Sequence, residues 1–174
     1  MLSALIQFKK GMTAALNFVL IVAVALLVID VVWGVFSRYI LGAQTKWTEE
    51  LARFLLIWVA LLGGAVAFGT KGHLGVDYLT GKLHPDVHRL MAVFAHIVVL
   101  FFAVAVFLYG GIHVVADALT MEQTTPALGW KMGYVYLALP ISGFFMVLFT
   151  IENLIETLVA PQIAISGESS REAV

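Results

Sequence analysis

Cysteine is absent from this chain, and charge is scarce: only 12% of its 174 residues are Asp, Glu, Lys or Arg. The first absence excludes disulfides, thiolate metal sites and thiol redox chemistry, and leaves the redox compartment unread. The second, with a formal net charge of −1, removes the basic patch that binding to nucleic acid requires. Alternating segments of about ten residues, the mark of a transmembrane barrel, are also missing, because the apolar runs are long and continuous. What fills the chain is hydrophobic: 61% of residues, with a mean hydropathy of +0.99, well outside the range of a soluble domain.

A bilayer core of about 30 Å needs roughly 20 apolar residues per helix. Four runs have that length, at about 12–36, 51–68, 91–116 and 132–151. The expected fold class is therefore an all-α integral membrane protein with four transmembrane helices. Its organisation reads as an amino-terminal segment at 1–11, a four-helix membrane domain at 12–158, and a polar, disordered tail at 159–174 rich in Ser, Gly and Glu. Lys9-Lys10 ahead of an apolar run resembles a signal peptide, with Ala23-Val24-Ala25 as a formal cleavage site. The run continues to Phe36, so it is read as an uncleaved first helix. Four spans put both termini on one side of the membrane. That side carries six Lys and Arg residues against four on the other, so the positive-inside rule places both termini in the cytoplasm.

With so little chain outside the spans, candidate functional residues are few. Asp30 is the one acidic residue well inside an apolar run. Ionisable groups at such depth are functional candidates; a structural role, a contact with another subunit and ion translocation are all open, and Arg38 is a possible partner two turns along the same face. Arg38, Glu49, Glu50 and Arg53 fall near one membrane boundary, where partial dehydration strengthens their contacts and ties the first two helices together. Thr48 is placed to cap the second helix, with Glu49 and Glu50 opposing the positive end of its dipole. Glu49 and Arg53 are spaced i,i+4, worth about 0.3–0.5 kcal/mol as a helix-surface pair.

Histidines offer weaker signals. His73 with Asp77, or His84 with His88, has the spacing of a metal pair, but two ligands at such spacing are common by chance. His96 and His113 lie 17 residues apart in the third helix, about 25 Å, too far to ligate one iron; a haem would need His73 and His96 from different helices. His113 and Asp117 read as a local hydrogen-bonded pair. Ala60, Gly63-Gly64, Ala65 and Ala67 in the second helix, and Gly110-Gly111 in the third, make faces suited to close packing. Pro140 should bend the fourth helix, and Trp130, Tyr134 and Tyr136 suit an interfacial aromatic belt. The Val76-Asp77-Tyr78-Leu79 stretch is suited to lying flat at the interface. No internal repeat relates the two halves, which argues against a self-contained transporter.

Taken in order, the charged islands form a pattern. A first helix ending Phe36-Ser37-Arg38-Tyr39 is followed by Trp47-Thr48-Glu49-Glu50-Leu51-Ala52-Arg53, a helix with Trp58 and Gly63, then Gly72-His73-Leu74-Gly75-Val76-Asp77, and finally Pro140-Ile141-Ser142-Gly143. Over residues 12–158 this resembles the small membrane subunit of tripartite ATP-independent periplasmic (TRAP) transporters; Gly75 departs from the pattern, where a larger apolar residue is expected. The resemblance implies a multi-pass protein of the bacterial inner membrane, with no enzymatic activity and no cofactor. It implies membership of a sodium-driven uptake system for organic acids, in which a periplasmic substrate-binding protein delivers the substrate. A large membrane subunit would carry the substrate and sodium sites and move as an elevator, with the small subunit as its scaffold. On this reading Asp30, Arg38, Tyr39, Trp47, Glu49, Glu50 and Arg53 form an interface or structural cluster, and His73 and Asp77 order the loop after the second helix. The alternative from another class is a haem-bearing four-helix anchor of an oxidoreductase; a third is a small self-contained exporter.

Overall fold

The computed structural model describes residues 2–42, 45–70 and 85–159, and the tail, the His73–Asp77 segment and the 76–79 stretch lie outside them. Helix α1 spans Leu2–Ile40 and α2 spans Lys46–Gly69. The third span is composite: α3 (Pro85–Phe102), a π-helical stretch (Ala103–Gly110) and α4 (Gly111–Thr120). The fourth is α5 (Met132–Tyr136) followed by α6 (Ala138–Val159). Among the described residues, four segments are long and apolar enough to cross a membrane: Lys9–Ile40, Lys46–Gly69, Leu90–Thr120 and Met132–Leu158. The helices outrun the apolar runs because flanking polar residues continue the helical backbone beyond the hydrocarbon. The 32 residues of the first span measure about 48 Å, more than the bilayer core needs, so this helix must tilt or project.

The spans form a row. Span one packs on span two, span two on span four, and span four on span three; spans one and three sit at the two ends of the row. The shared core is correspondingly small. Leu16, Leu62, Val66 and Phe149 form one cluster, and Ala65, Ala103 and Met146 the other. Most of the large apolar side chains of α1 and α3, such as Phe18, Ile21, Val32, Phe94 and Phe101, stay exposed, as expected of surfaces whose solvent is lipid rather than water.

Close approach is confined to a few places. A Cβ on Gly143 would lie 2.5 Å from Phe107 Cβ, and one on Gly111 would lie 3.1 Å from Pro140 Cδ. The π-helical stretch thus packs against the part of span four that contains Pro140. Proline removes one backbone donor and crowds the carbonyl four residues earlier, and span four is interrupted at Leu137, between α5 and α6. The small face expected of α2 is only partly used. Ala65 is buried, but Gly64 has open space beside it and Ala60 and Ala67 are exposed; the contact shifts one turn on, to Gly69 against the Phe149 ring. Hydroxyls inside the spans are satisfied by their own helices: Ser142 donates to Leu139 O, and Thr150 to Met146 O.

Candidate functional site

Among the described residues, three polar features join the spans, two at the end of the helices where α2 begins and one at their other end. The first is a cleft of about 300 Å³ between α1 and α2, lined by Asp30, Val31, Gly34, Val35, Arg38, Tyr39, Thr48, Glu49 and Ala52. Small residues border it. Gly34 lets α1 approach so closely that a Cβ there would lie 3.3 Å from Thr48 Oγ1, and Ala52 leaves space one turn beyond Thr48. Asp30 is 5% exposed, and neither carboxylate oxygen has a hydrogen-bond partner. Arg38 shares the cleft but does not bond to it. Eight residues of helix, about 12 Å, separate the two.

Thr48 is not the cap of α2. The N-cap position falls at Thr45, whose backbone is extended (φ −83°, ψ 110°) and whose side chain makes no capping bond. Thr48 is buried in the first turn, where its hydroxyl donates to Thr45 O at 2.8 Å. Glu49 stands in that turn, where its charge opposes the helix dipole.

The second feature is formed by Glu50, which leaves the cleft to its neighbours and reaches the connection between spans three and four. Its two oxygens accept hydrogen bonds from the backbone N–H groups of Ala127 and Leu128, each at 3.0 Å. That connection is an ordered hairpin rather than a plain loop. Thr124 and Lys131 form an antiparallel bridge; Thr125 N–H donates to Trp130 O, Gly129 N–H to Thr125 O, and Trp130 N–H to the Thr125 hydroxyl. Gly129 supplies the left-handed conformation (φ +68°) needed to close it. Within the tip, Pro126 has no N–H to offer, and the next two amides resemble the orphan donors of a helix start. A carboxylate is their natural acceptor.

The third feature lies at the opposite end of the helices, where α1 begins. Lys9 Nζ donates to Asn153 Oδ1 at 3.0 Å and stands 3.7 Å from Glu152. Asn153, buried, donates in turn to Phe68 O at 2.9 Å. One amide thereby connects the first, second and fourth spans, and satisfies a carbonyl in the last turn of α2 that has few helical donors left.

The residues expected from the sequence are divided by this geometry. Asp30, Arg38, Tyr39 and Glu49 are gathered around the cleft; Trp47 and Arg53 are exposed nearby and do not line it. His73, Asp77 and His84 lie outside the described residues, as does the side chain of His88. His113 does not pair with Asp117. Its Nδ1 faces Tyr109 O at 3.0 Å, and its ring is 4.4 Å from that of Tyr109. His96 Nδ1 similarly meets Ala92 O. Sequence reasoning missed Lys9, Glu152, Asn153 and the hairpin amides. No local pattern in the sequence signalled any of them.

A row of four membrane-length helices with polar bonds between spans defines a class: a polytopic α-helical membrane protein. A family profile described as "Tripartite ATP-independent periplasmic transporters, DctQ component" matches residues 26–160. The chain belongs to this family of small TRAP permease subunits, which are parts of transporters rather than enzymes. It is 32% identical over 123 residues to the sialic acid TRAP transporter small permease protein SiaQ of Vibrio cholerae, covering 70% of this chain and 69% of the relative. It is 29% identical over 144 residues to a putative TRAP transporter small permease protein of Haemophilus influenzae, covering 83% and 88%. The isethionate TRAP transporter permease protein DctMQ of Oleidesulfovibrio alaskensis is 30% identical over 126 residues, which is 72% of this chain but 19% of that much longer protein.

Proposed function

We propose that this chain is the small scaffold subunit of a sodium-coupled TRAP transporter for organic acids. It sits in the bacterial inner membrane with both termini cytoplasmic and supports a large, elevator-type membrane subunit, to which a periplasmic binding protein delivers the substrate. The observation that carries this reading is the open row of spans. Span one packs on span two and leaves most of its length unpartnered, an arrangement suited to widening the static part of a larger assembly. The much longer DctMQ relative, of which the matched segment is 19%, supports a permanent membrane partner, because a segment like this chain occurs there within one polypeptide. Asp30, Arg38, Tyr39, Trp47, Glu49, Glu50 and Arg53 would fix the first two spans and their junction with that partner, and His73 and Asp77 would order the loop after α2.

The test is a detergent pull-down of the tagged chain from its native membrane, with mass spectrometry of what accompanies it. A stoichiometric, very hydrophobic polytopic partner is expected. A partner with a Soret band, or uptake by the chain reconstituted alone, would overturn the scaffold reading.

A further inference from the structure

We propose that the cleft between α1 and α2 receives a lysine or arginine side chain from the larger membrane subunit, which pairs with Asp30. This rests on the reading above that such a subunit exists; what it adds is the place and the chemistry of the contact. Among the described residues Asp30 is the only charged side chain that is buried, and both of its oxygens lack partners. A carboxylate withdrawn from water with nothing bound to it is costly. It persists where a partner completes it, and acidic groups inside membrane spans characteristically pair with a cation. The cleft beside it has the room, about 300 Å³, next to the point where Gly34 lets α1 close on Thr48.

Among the described residues, none supplies the cation. Arg38 lines the same cleft but is exposed near the end of α1 and makes no bond to Asp30. A zwitterionic lipid headgroup fits less well. Its phosphate would be drawn to Arg38, and its ammonium group would then point toward water. Asp30, about 12 Å deeper along the helix, would meet acyl chain instead. A long basic side chain entering sideways from a neighbouring helix delivers charge at the depth where the carboxylate lies, with its apolar stem along the cleft wall.

The experiment compares wild type, Asp30→Asn and Asp30→Leu in the intact complex purified from native membranes, together with each tagged chain purified alone. The expected result is an approximately tenfold or greater loss of retained partner per tagged chain for both variants. The thermal midpoint of the isolated Asp30→Leu chain should rise, because an unpaired buried carboxylate has been replaced by an apolar group of similar size. Unchanged retention overturns the proposal. So does a fall in both retention and the midpoint of the isolated chain, which would make Asp30 a structural group within its own subunit. A photo-crosslinking residue at Val31, which lines the cleft and is 48% exposed, should label a partner peptide with Lys or Arg within one helical turn; labelling of lipid overturns it. If the wild-type chain retains no polytopic partner, the scaffold reading falls first; if it does and the Asp30 variants match it, only this inference falls.

Discussion

Glu50 shows how one side chain can serve two elements. Its position in the sequence suggests compensation of the α2 dipole, yet its two oxygens hold the tip of the hairpin between spans three and four. Both bonds are charge-assisted and bidentate, which makes them stronger than neutral ones, although partial exposure lowers their worth. Glu50→Gln keeps the shape but removes the charge and one acceptor. Exchange of the Ala127 and Leu128 amides should quicken about tenfold, equivalent to about 1.4 kcal/mol; unaltered exchange would show that the Thr125 bonds hold the hairpin by themselves. Arg53 is exposed and makes none of these contacts. In the scaffold reading it faces the partner, so Arg53→Glu should lower co-purification of the large subunit about threefold or more, and full yield with normal transport would remove it from the interface.

Between elements, two glycines set the separation of spans three and four, and they respond differently to rescue. A Cβ at Gly143 would meet Phe107 Cβ at 2.5 Å and its backbone carbon at 3.2 Å. Gly143→Ala should therefore destabilise the fold by about 1–3 kcal/mol, and Phe107→Ala should not restore it, because alanine retains the offending Cβ and backbone. A Cβ at Gly133 would meet the Cγ and Cδ2 atoms of Leu119, both at 2.5 Å, the branched end of a side chain. Leu119→Ala should relieve Gly133→Ala. Thermal unfolding of the four variants in detergent checks both cases, and equal rescue at the two sites would show that the backbones can move apart. The sequence pointed to Gly110-Gly111 as a packing face, and Gly111 fills that role against Pro140. It pointed equally to Gly63-Gly64, where a Cβ would meet only Leu20 at 4.0 Å beside Gly63 and nothing beside Gly64. Small residues permit close contact, but only the path of the opposing helix decides where it occurs.

At the scale of the whole molecule, the row of spans leaves the chain with a small core and long exposed apolar faces. Lipid covers such faces at little cost, so exposure is no obstacle to folding; what is missing is mutual support between the ends of the row. Any partner that binds the folded chain selectively adds stability by mass action. The thermal midpoint of the chain within its native complex should therefore exceed that of the purified chain by several degrees, measured with the same detergent and lipid. Equal midpoints would mean that the row is already self-sufficient and that partner contacts contribute little.

Hydropathy and length by themselves determined the membrane class and the number of spans, because the bilayer imposes one dominant requirement on every spanning segment. The ordered charged islands determined the family. The tertiary structure decided what those charges touch. Asp30 and Arg38 share a cleft without bonding, Glu50 leaves their cluster for a hairpin 77 residues away in sequence, and His113 turns back to Tyr109 instead of forward to Asp117. It also brought Lys9 and Asn153 together across 144 residues, a pairing with no trace in local periodicity. The physical reason is common to all of these. Transfer of apolar segments into lipid acts on each span separately and is legible in composition, whereas a polar contact needs two groups at one depth on adjacent helices, and adjacency is set by the order of the row.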